Sequence, residues 1–304
     1  MKRVCTFVSM IMLLACNATQ QGLRKNAEEL FSHIPETENL EGCKAFLTDD
    51  FYASVEEMVS LPDFTPVLHE WEFWFAAADG SPMAANACEV TGIEQTDKTH
   101  AKATVLVHPS DPDYDAEEHT LLMEKVDGKW LLADFDDAKQ SCVRFIDNYR
   151  KEESARKAIS DYLVNEIGTH YLQGEVCIPV IMIVAAEEED ATHARVWGDF
   201  WVDWYNVSGD TLKTVSGGNH SGCMSLIKDG DKLSVTAFEQ TEDGAGNDPS
   251  ARRIFGKYYD IYHSIHSNQD VRESARKEAI RHYCTSNGLD IRYYQDFGWP
   301  AVSI

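Results

Sequence analysis

The segment from Arg195 to Tyr205 constrains the fold of this chain more than any other stretch of its sequence, and it contains three of the seven tryptophans. Side chains of a β-strand alternate between the two faces of its sheet, so a strand here would present two faces of different chemistry. One face is apolar and holds Val196, Gly198, Phe200, Val202 and Trp204. The opposite face interleaves rings with carboxylates: Trp197, Asp199, Trp201, Asp203 and Tyr205.

A strand face that mixes aromatic rings with carboxylates suits an amphipathic ligand or a domain interface. Burying two aspartates without partners is costly, so we expect the strip to be paired, partly wet, or covered by hydrogen-bond donors. The glycine-rich segment Ser216–Gly222 is predicted to be a turn that supplies such donors. The candidate ligand-binding residues are Trp197, Asp199, Trp201, Asp203, Tyr205, Asn219 and His220. Simpler alternatives stay open: a wide hairpin connection and tryptophans that pack in the core.

The N-terminal residues have the pattern of an export signal. Lys2 and Arg3 precede an apolar run that is too short to span a bilayer, and the sequence Leu-Leu-Ala-Cys ends at Cys16. This pattern resembles the lipobox of bacterial lipoproteins. The resemblance implies that residues 1–15 are a signal peptide and that Cys16 is lipidated after cleavage. An ordinary secretory signal with a chance cysteine is the alternative.

A lipidated Cys16 implies a membrane as the first partner of the chain. Residues 16–39 would then form the lipidated cysteine and its tether. We expect the protein in the bacterial cell envelope, at the outer rather than the inner membrane. The side of the membrane stays open because the residues after Cys16 carry no clear sorting signal.

The charge of the chain bears on its other partners. Cleavage would remove two of the 27 basic residues and leave all 51 acidic ones. Nucleic acid and anionic lipid surfaces bind to concentrated basic faces, so neither is an expected partner. A small molecule, a glycan or a protein remains as the ligand, since aromatic rings can stack on sugars and aspartate accepts hydroxyl hydrogen bonds.

Periodic segments predict the same plan twice, helix first and then about four antiparallel strands. Two Asp-Gly dipeptides, at Asp127 and Asp229, predict hairpin turns because both turn residues must tolerate positive φ. This pattern indicates an α+β fold of two tandem domains, each a curved antiparallel sheet packed with helices. The boundaries are 40–150 for an N-terminal domain and 151–304 for a C-terminal domain with extra C-terminal helices.

A sequence echo supports two related halves. Glu153-Ser154-Ala155-Arg156-Lys157 recurs as Glu273-Ser274-Ala275-Arg276-Lys277, although two amphipathic helices can match by chance. The order of elements resembles the cone-shaped fold of nuclear transport factor 2-like and cystatin-like domains, which implies helices in the concavity of a bent sheet. With the lipobox, the chain resembles uncharacterised two-domain bacterial lipoproteins, a family that implies no activity.

Chemistry is harder to predict than architecture. Our first interpretation is a non-catalytic binding or interaction protein. The alternative is a pocket enzyme of isomerase or hydrolase type that uses Asp199, Asp203 or His220 as a base. No metal or cofactor is predicted: the acidic segment at 111–122 lacks the glycine and glutamate of a calcium loop, and the pair His263 and His266 lacks further ligands.

Overall fold

The computed structural model describes residues 20–30, 40–61, 88–108, 115–230 and 232–304. Residues 16–19 and 31–39 of the expected tether, including Cys16, and residues 111–114 of the acidic segment lie outside these residues. The chain divides into two compact units, Met1–Tyr149 and Arg150–Ile304. Each unit combines helices with a mainly antiparallel sheet, which confirms the α+β prediction.

The first unit is built around a four-stranded meander in the order β1-β2-β3-β4. Its described helices are α1 (20–30), α2 (Leu40–Cys43) and α3 (Asp49–Ser60). The strands are β1 (Cys88–Gln95), β2 (His100–Val107), β3 (Glu117–Val126) and β4 (Lys129–Phe135). One face of the sheet is buried against these helices and the start of the next one, with Phe51, Val105, Leu121, Leu132 and Cys142 at 0% exposure.

A long helix, α4 (Ala138–Tyr162), follows β4 and continues as a π-helical turn, Leu163–Ile167. The helix runs without a break through the charged residues near Lys151. It continues because each end finds its own apolar partners. Cys142 packs in the core of the first unit, and Ile159 packs in the core of the second.

The second unit contains a longer meander and a C-terminal extension. Its strands are β5 (Val176–Glu188), β6 (His193–Ser208), β7 (Thr211–Asp229) and β8 (Lys232–Gln240). Three helices follow, α5 (Asn247–Phe255), α6 (Tyr259–His266) and α7 (Gln269–Ser286). The chain ends with β9 (Tyr293–Gln295), which pairs in parallel with β7, and β10 (Val302–Ser303).

The sheet of the second unit is covered on both faces. The face with Val196, Phe200 and Val202 packs on the end of α4 and its π turn. The face with Trp197 and Tyr205 packs on α5, α6 and α7. The assignment of two faces to β6 is therefore confirmed, and the second unit has three layers.

Local contacts decide where several elements begin and end. Helices α2 and α3 are separate, because Leu47 leaves the helical path to form an isolated bridge with Leu132 of β4. Helix α7 is capped by Asn268, whose Oδ1 accepts from two backbone N–H groups. The segment Ser216–Gly222 is not a turn, because it lies within β7 and pairs with β6 along its whole length.

The two units share a hairpin design that the helix echo does not capture. Asp97-Lys98-Thr99-His100 joins β1 to β2, and Asp190-Ala191-Thr192-His193 joins β5 to β6. In each turn the aspartate Oδ1 accepts from the backbone N–H groups of the threonine and the histidine, at 2.7–2.9 Å. These bonds hold the pKa of the Asp97 and Asp190 carboxyls well below the usual range. The bond from the threonine N–H has the largest effect.

The Asp-Gly turns complete this repeated design. Asp127 and Gly128 both have positive φ, 50° and 84°, and Gly230 has a φ of 62°. The helix echo, by contrast, is not a structural repeat. Its first copy packs on one face of the second sheet through Ile159, and its second copy packs on the opposite face through Ile280.

Four cysteines in the described residues are free and buried, Cys142, Cys177, Cys223 and Cys284, and Cys43 is buried as well. Burial is the main cause that raises the pKa of the Cys142 and Cys177 thiols to about 12. These cysteines therefore behave as small apolar side chains rather than nucleophiles.

Candidate functional site

The strip of rings and carboxylates on β6 lies beneath the C-terminal helices. Asp199 and Tyr205 are 0% exposed and Trp197 is 5% exposed. The indole N–H of Trp197 donates to the carbonyl of Ile254 in α5 at 2.9 Å. Trp197 and Tyr205 are thus interior residues, and the strip contacts helices of the same chain.

Asp199 is the most deeply buried carboxylate of the strip. Its Oδ1 accepts from Ser221 Oγ at 2.7 Å and from the Asn219 amide, and both donors come from the neighbouring strand β7. Its Oδ2 accepts from His266 Nδ1 at 3.1 Å, at the end of α6. Burial alone would raise the pKa of Asp199, but these three hydrogen bonds outweigh it and lower the pKa below its usual value.

Asp203 lies four residues further along β6, beyond Trp201 on the same face, in a different environment. Tyr205 OH is 3.5 Å from its Oδ2, and Arg276 Nε of α7 is 3.6 Å away. Burial and the nearby carboxylate of Asp296 raise the pKa of Asp203, and Arg276 only partly offsets them. The surroundings of Asp199 therefore favour its ionised form, whereas those of Asp203 favour its protonated form.

Arg276 is directed mainly to Asp296, which follows β9. The guanidinium makes two parallel hydrogen bonds to the Asp296 carboxylate, at 2.8 and 2.9 Å. It also donates to Tyr205 OH at 2.9 Å and to Thr214 Oγ1 at 3.0 Å. A bidentate arginine pair of this kind fixes orientation as well as adding energy. Arg276 therefore ties α7, β6, β7 and the end of β9 together.

Trp201 lies between the two carboxylates and keeps an unused donor. Its Nε1 is buried and has no hydrogen-bond partner in the described structure, and the same is true of Arg272 Nε. The Arg272 guanidinium lies 5.7 Å from the centre of the Trp201 ring. Trp201 of β6 and Arg272 of α7 thus each keep a buried donor where the helix covers the strand.

His220 does not join the other candidate residues. It pairs with Phe200 across β6 and β7, so it points to the α4 face of the sheet. Its Nε2 lies 2.8 Å from Tyr171 OH and its Nδ1 lies 2.8 Å from Gln240 Oε1. Of the two donors expected from the glycine-rich segment, only Asn219 reaches the strip.

The glycines of this segment are needed for close approach within the sheet. A Cβ at Gly217 would overlap the Asp203 carboxylate and the Val202 carbonyl, and a Cβ at Gly218 would overlap Tyr171 OH. Groups of the same chain thus occupy the space beside these glycines.

An exposed aromatic tip, Phe297–Trp299, joins β9 to β10 and was missed as a candidate site. Phe297 is 96% exposed and Trp299 is 72% exposed. The turn has internal support: Trp299 N–H donates to the Asp296 carbonyl at 3.1 Å, and Gln295 Nε2 donates to the Trp299 carbonyl at 2.9 Å. Gly298, with a φ of 78°, supplies the conformation that this turn requires.

The described residues contain no group of three or more potential metal ligands. His263 and His266 do not face a common metal site. His266 bonds to Asp199, and His263 lies against the ring of Tyr259. None of the described helices has the length and apolar character to span a membrane.

The two buried aspartates should respond in opposite directions to neutralisation. Asp199 has a lowered pKa when folded, so its ionised form contributes stability above the unfolded-state pKa, and this contribution is lost as the pH falls through the folded pKa. Asp199→Asn should lower the unfolding free energy at neutral pH by about 1–3 kcal/mol. The difference from wild type should shrink in acid.

Asp203 has a raised pKa when folded, so its protonated form is the stabilising one. That contribution is complete below the unfolded-state pKa and is lost as the pH rises through the folded pKa. Asp203→Asn should therefore leave stability at neutral pH unchanged or higher. Urea unfolding over the acidic and neutral range measures both variants, and equal losses at neutral pH would contradict the assignment.

Comparison with known proteins adds no argument about fold or function. No family model matches the chain, and no curated protein matches it. Among solved structures, an "Ntf2 like protein involved in plasmid conjugation" is similar at 12% identity and a TM-score of 0.20. The match covers 73% of this chain and 96% of that chain. It is a loose similarity.

Proposed function

We propose that the protein is a non-catalytic binding protein of the bacterial envelope, lipid-anchored at Cys16 and built from two nuclear transport factor 2-like domains. It engages a partner protein through the aromatic tip Phe297–Trp299. The exposure of these two rings carries the proposal, because large apolar groups are seldom left in water without a use.

The shape and stiffness of the tip favour a protein partner over a small molecule. Sites for small molecules are concave, whereas these two rings stand out from the surface. Tryptophan and other aromatic residues dominate binding energy at protein interfaces when they fill a pocket of the partner. The Asp296–Arg276 pair and the hydrogen bonds of the turn fix the turn before a partner binds. This reduces the entropic cost of binding.

The rival interpretation, a pocket enzyme, has weaker support in the geometry. Asp199 and Asp203 lie under the C-terminal helices, while His220 lies on the opposite face of the sheet. The three proposed bases therefore do not face a common space in which one substrate could react.

The anchor is tested by Cys16→Ala. The variant should stay unprocessed or soluble, whereas wild-type protein enters the detergent phase of a phase-separation assay, because several acyl chains give stable anchoring. Cys5→Ala is the matched control, since Cys5 is removed with the signal and should change nothing. Intact-mass measurement that finds an unmodified Cys16 in membrane-extracted protein would contradict the anchor.

The aromatic tip is tested with the double variant Phe297→Ala/Trp299→Ala in the full chain. The variant should lose the protein that wild type captures from solubilised envelopes, while its melting temperature stays within a few degrees, because the rings pack little in the fold. Leu172→Ala is the control, since Leu172 is also an exposed apolar residue, at 73%.

Two results would contradict the proposal that the aromatic tip binds a partner protein. The first is equal capture by the wild type, the double variant and Leu172→Ala, which would place binding elsewhere. The second is capture of material that resists protease digestion of the extract, as a glycan does, which would contradict a protein partner.

A further inference from the structure

A groove of about 700 Å³ lies in the first unit. The tip of the β1–β2 hairpin, the strands β2 to β4 and the first turns of α4 form its walls. The strands bend here, because β3 and β4 shift register between Leu122 and Met123. A volume of this size falls within the range that holds a small organic ligand.

The walls of the groove include apolar surface that is left open. Leu122 of β3 is 39% exposed and Val143 of α4 is 42% exposed, and both line the groove. Ala101 and Met123, which belong to the core, line it from below. An apolar ligand body would bury side chains that otherwise face water.

Six charged or ionisable side chains also line the groove: Asp97, His100, Lys102, Asp134, Lys139 and Arg144. The two acids are already engaged. Asp97 accepts hydrogen bonds within its turn, two of them from the backbone and one from His100 Nδ1 at 2.9 Å. Asp134 is buried and accepts from the backbone N–H groups of Phe135 and Lys139 at 2.7 and 2.9 Å.

The cations are engaged less completely than the acids. Lys139 forms an ion pair with Asp50. Neither Lys102 nor Arg144 takes part in an ion pair among the described residues, although Glu94 lies opposite Lys102 across β1 and β2. Among the described residues, the one hydrogen bond from Arg144 goes to Ser141 Oγ, at 3.0 Å. In a chain with 51 acidic and 27 basic residues, two unpaired cations beside an apolar wall are unusual.

We propose that this groove binds an organic anion with a carboxylate head and an apolar body, of the fatty-acid class. The carboxylate contacts Lys102 and Arg144, and the chain lies along Leu122 and Val143. Charge complementarity selects the occupant, because the free cations can make charge-assisted hydrogen bonds to a carboxylate. The site is separate from the aromatic tip and goes beyond the function proposed for it.

The experiment is calorimetric titration of the full chain with decanoate, below the concentration at which micelles form. Decanoate should bind saturably at one site. The affinity should fall about tenfold or more in Lys102→Ala/Arg144→Ala, which corresponds to the loss of a charge-assisted contact. Acetate, which has the head without the chain, and decylammonium, which has the chain with the opposite charge, should not bind measurably.

The matched control is Lys213→Ala/Lys232→Ala, which removes two exposed positive charges from the second unit and should keep wild-type affinity. Phe297→Ala/Trp299→Ala should also bind decanoate normally, so failure of the tip and failure of the groove are distinguishable. Three results would overturn the proposal: no saturable binding of decanoate, equal binding of decylammonium, or an equal loss of affinity in the control variant.

Discussion

The second unit depends on the need to pair two carboxylates inside a layered structure. Asp199 and Asp203 lie on the same face of β6, and this face is buried. An unpaired buried charge costs several kcal/mol, which is comparable to the whole stability of a domain. The helices that cover the face must therefore bring donors as well as apolar side chains. His266 of α6 donates to Asp199, and Arg276 of α7 places its positive charge 3.6 Å from Asp203 and offsets part of the cost of burying that group.

This requirement links the C-terminal extension to the sheet and to the aromatic tip. Arg276 reaches Tyr205 on β6, Thr214 on β7 and Asp296 beside the tip. The same guanidinium thus holds α7 on the sheet and fixes the base of the exposed turn. The turn that carries the two exposed rings is therefore held in one backbone conformation, as the proposed binding role would require.

Sequence reasoning predicted elements whose determinants are local. The Asp-Gly turns and most strands could be found because alternation and turn chemistry act within a few residues. The repeated Asp-x-Thr-His turns are also visible in the sequence, at 97–100 and 190–193. They mark equivalent hairpins in the two units, which the repeated helix motif does not. A repeat in turns is the better guide here, because amphipathic helices are degenerate and turn chemistry is specific.

The remaining features depend on contacts between residues far apart in sequence. His266 and Arg276 lie 67 and 71 positions from the β6 residues to which they bond, so no local pattern reveals them. The glycines at 217 and 218 resemble a turn in the sequence. They lie within strand β7 instead. Glycine is needed there because groups from β6 and from Tyr171 occupy the space where a Cβ would be. The exposure of Phe297 and Trp299 was likewise hidden, since aromatic residues are buried far more often than they are left in water.

The most direct test of this account is a double-mutant cycle on the hydrogen bond between Asp199 and His266, measured as unfolding free energy at neutral pH. Asp199→Asn removes the charge, and His266→Phe keeps a ring against Tyr262 but removes the Nδ1 donor. The account predicts a coupling energy of about 1–3 kcal/mol between the two substitutions. Additive effects, with a coupling energy near zero, would show that the helices are held on the sheet by apolar packing alone.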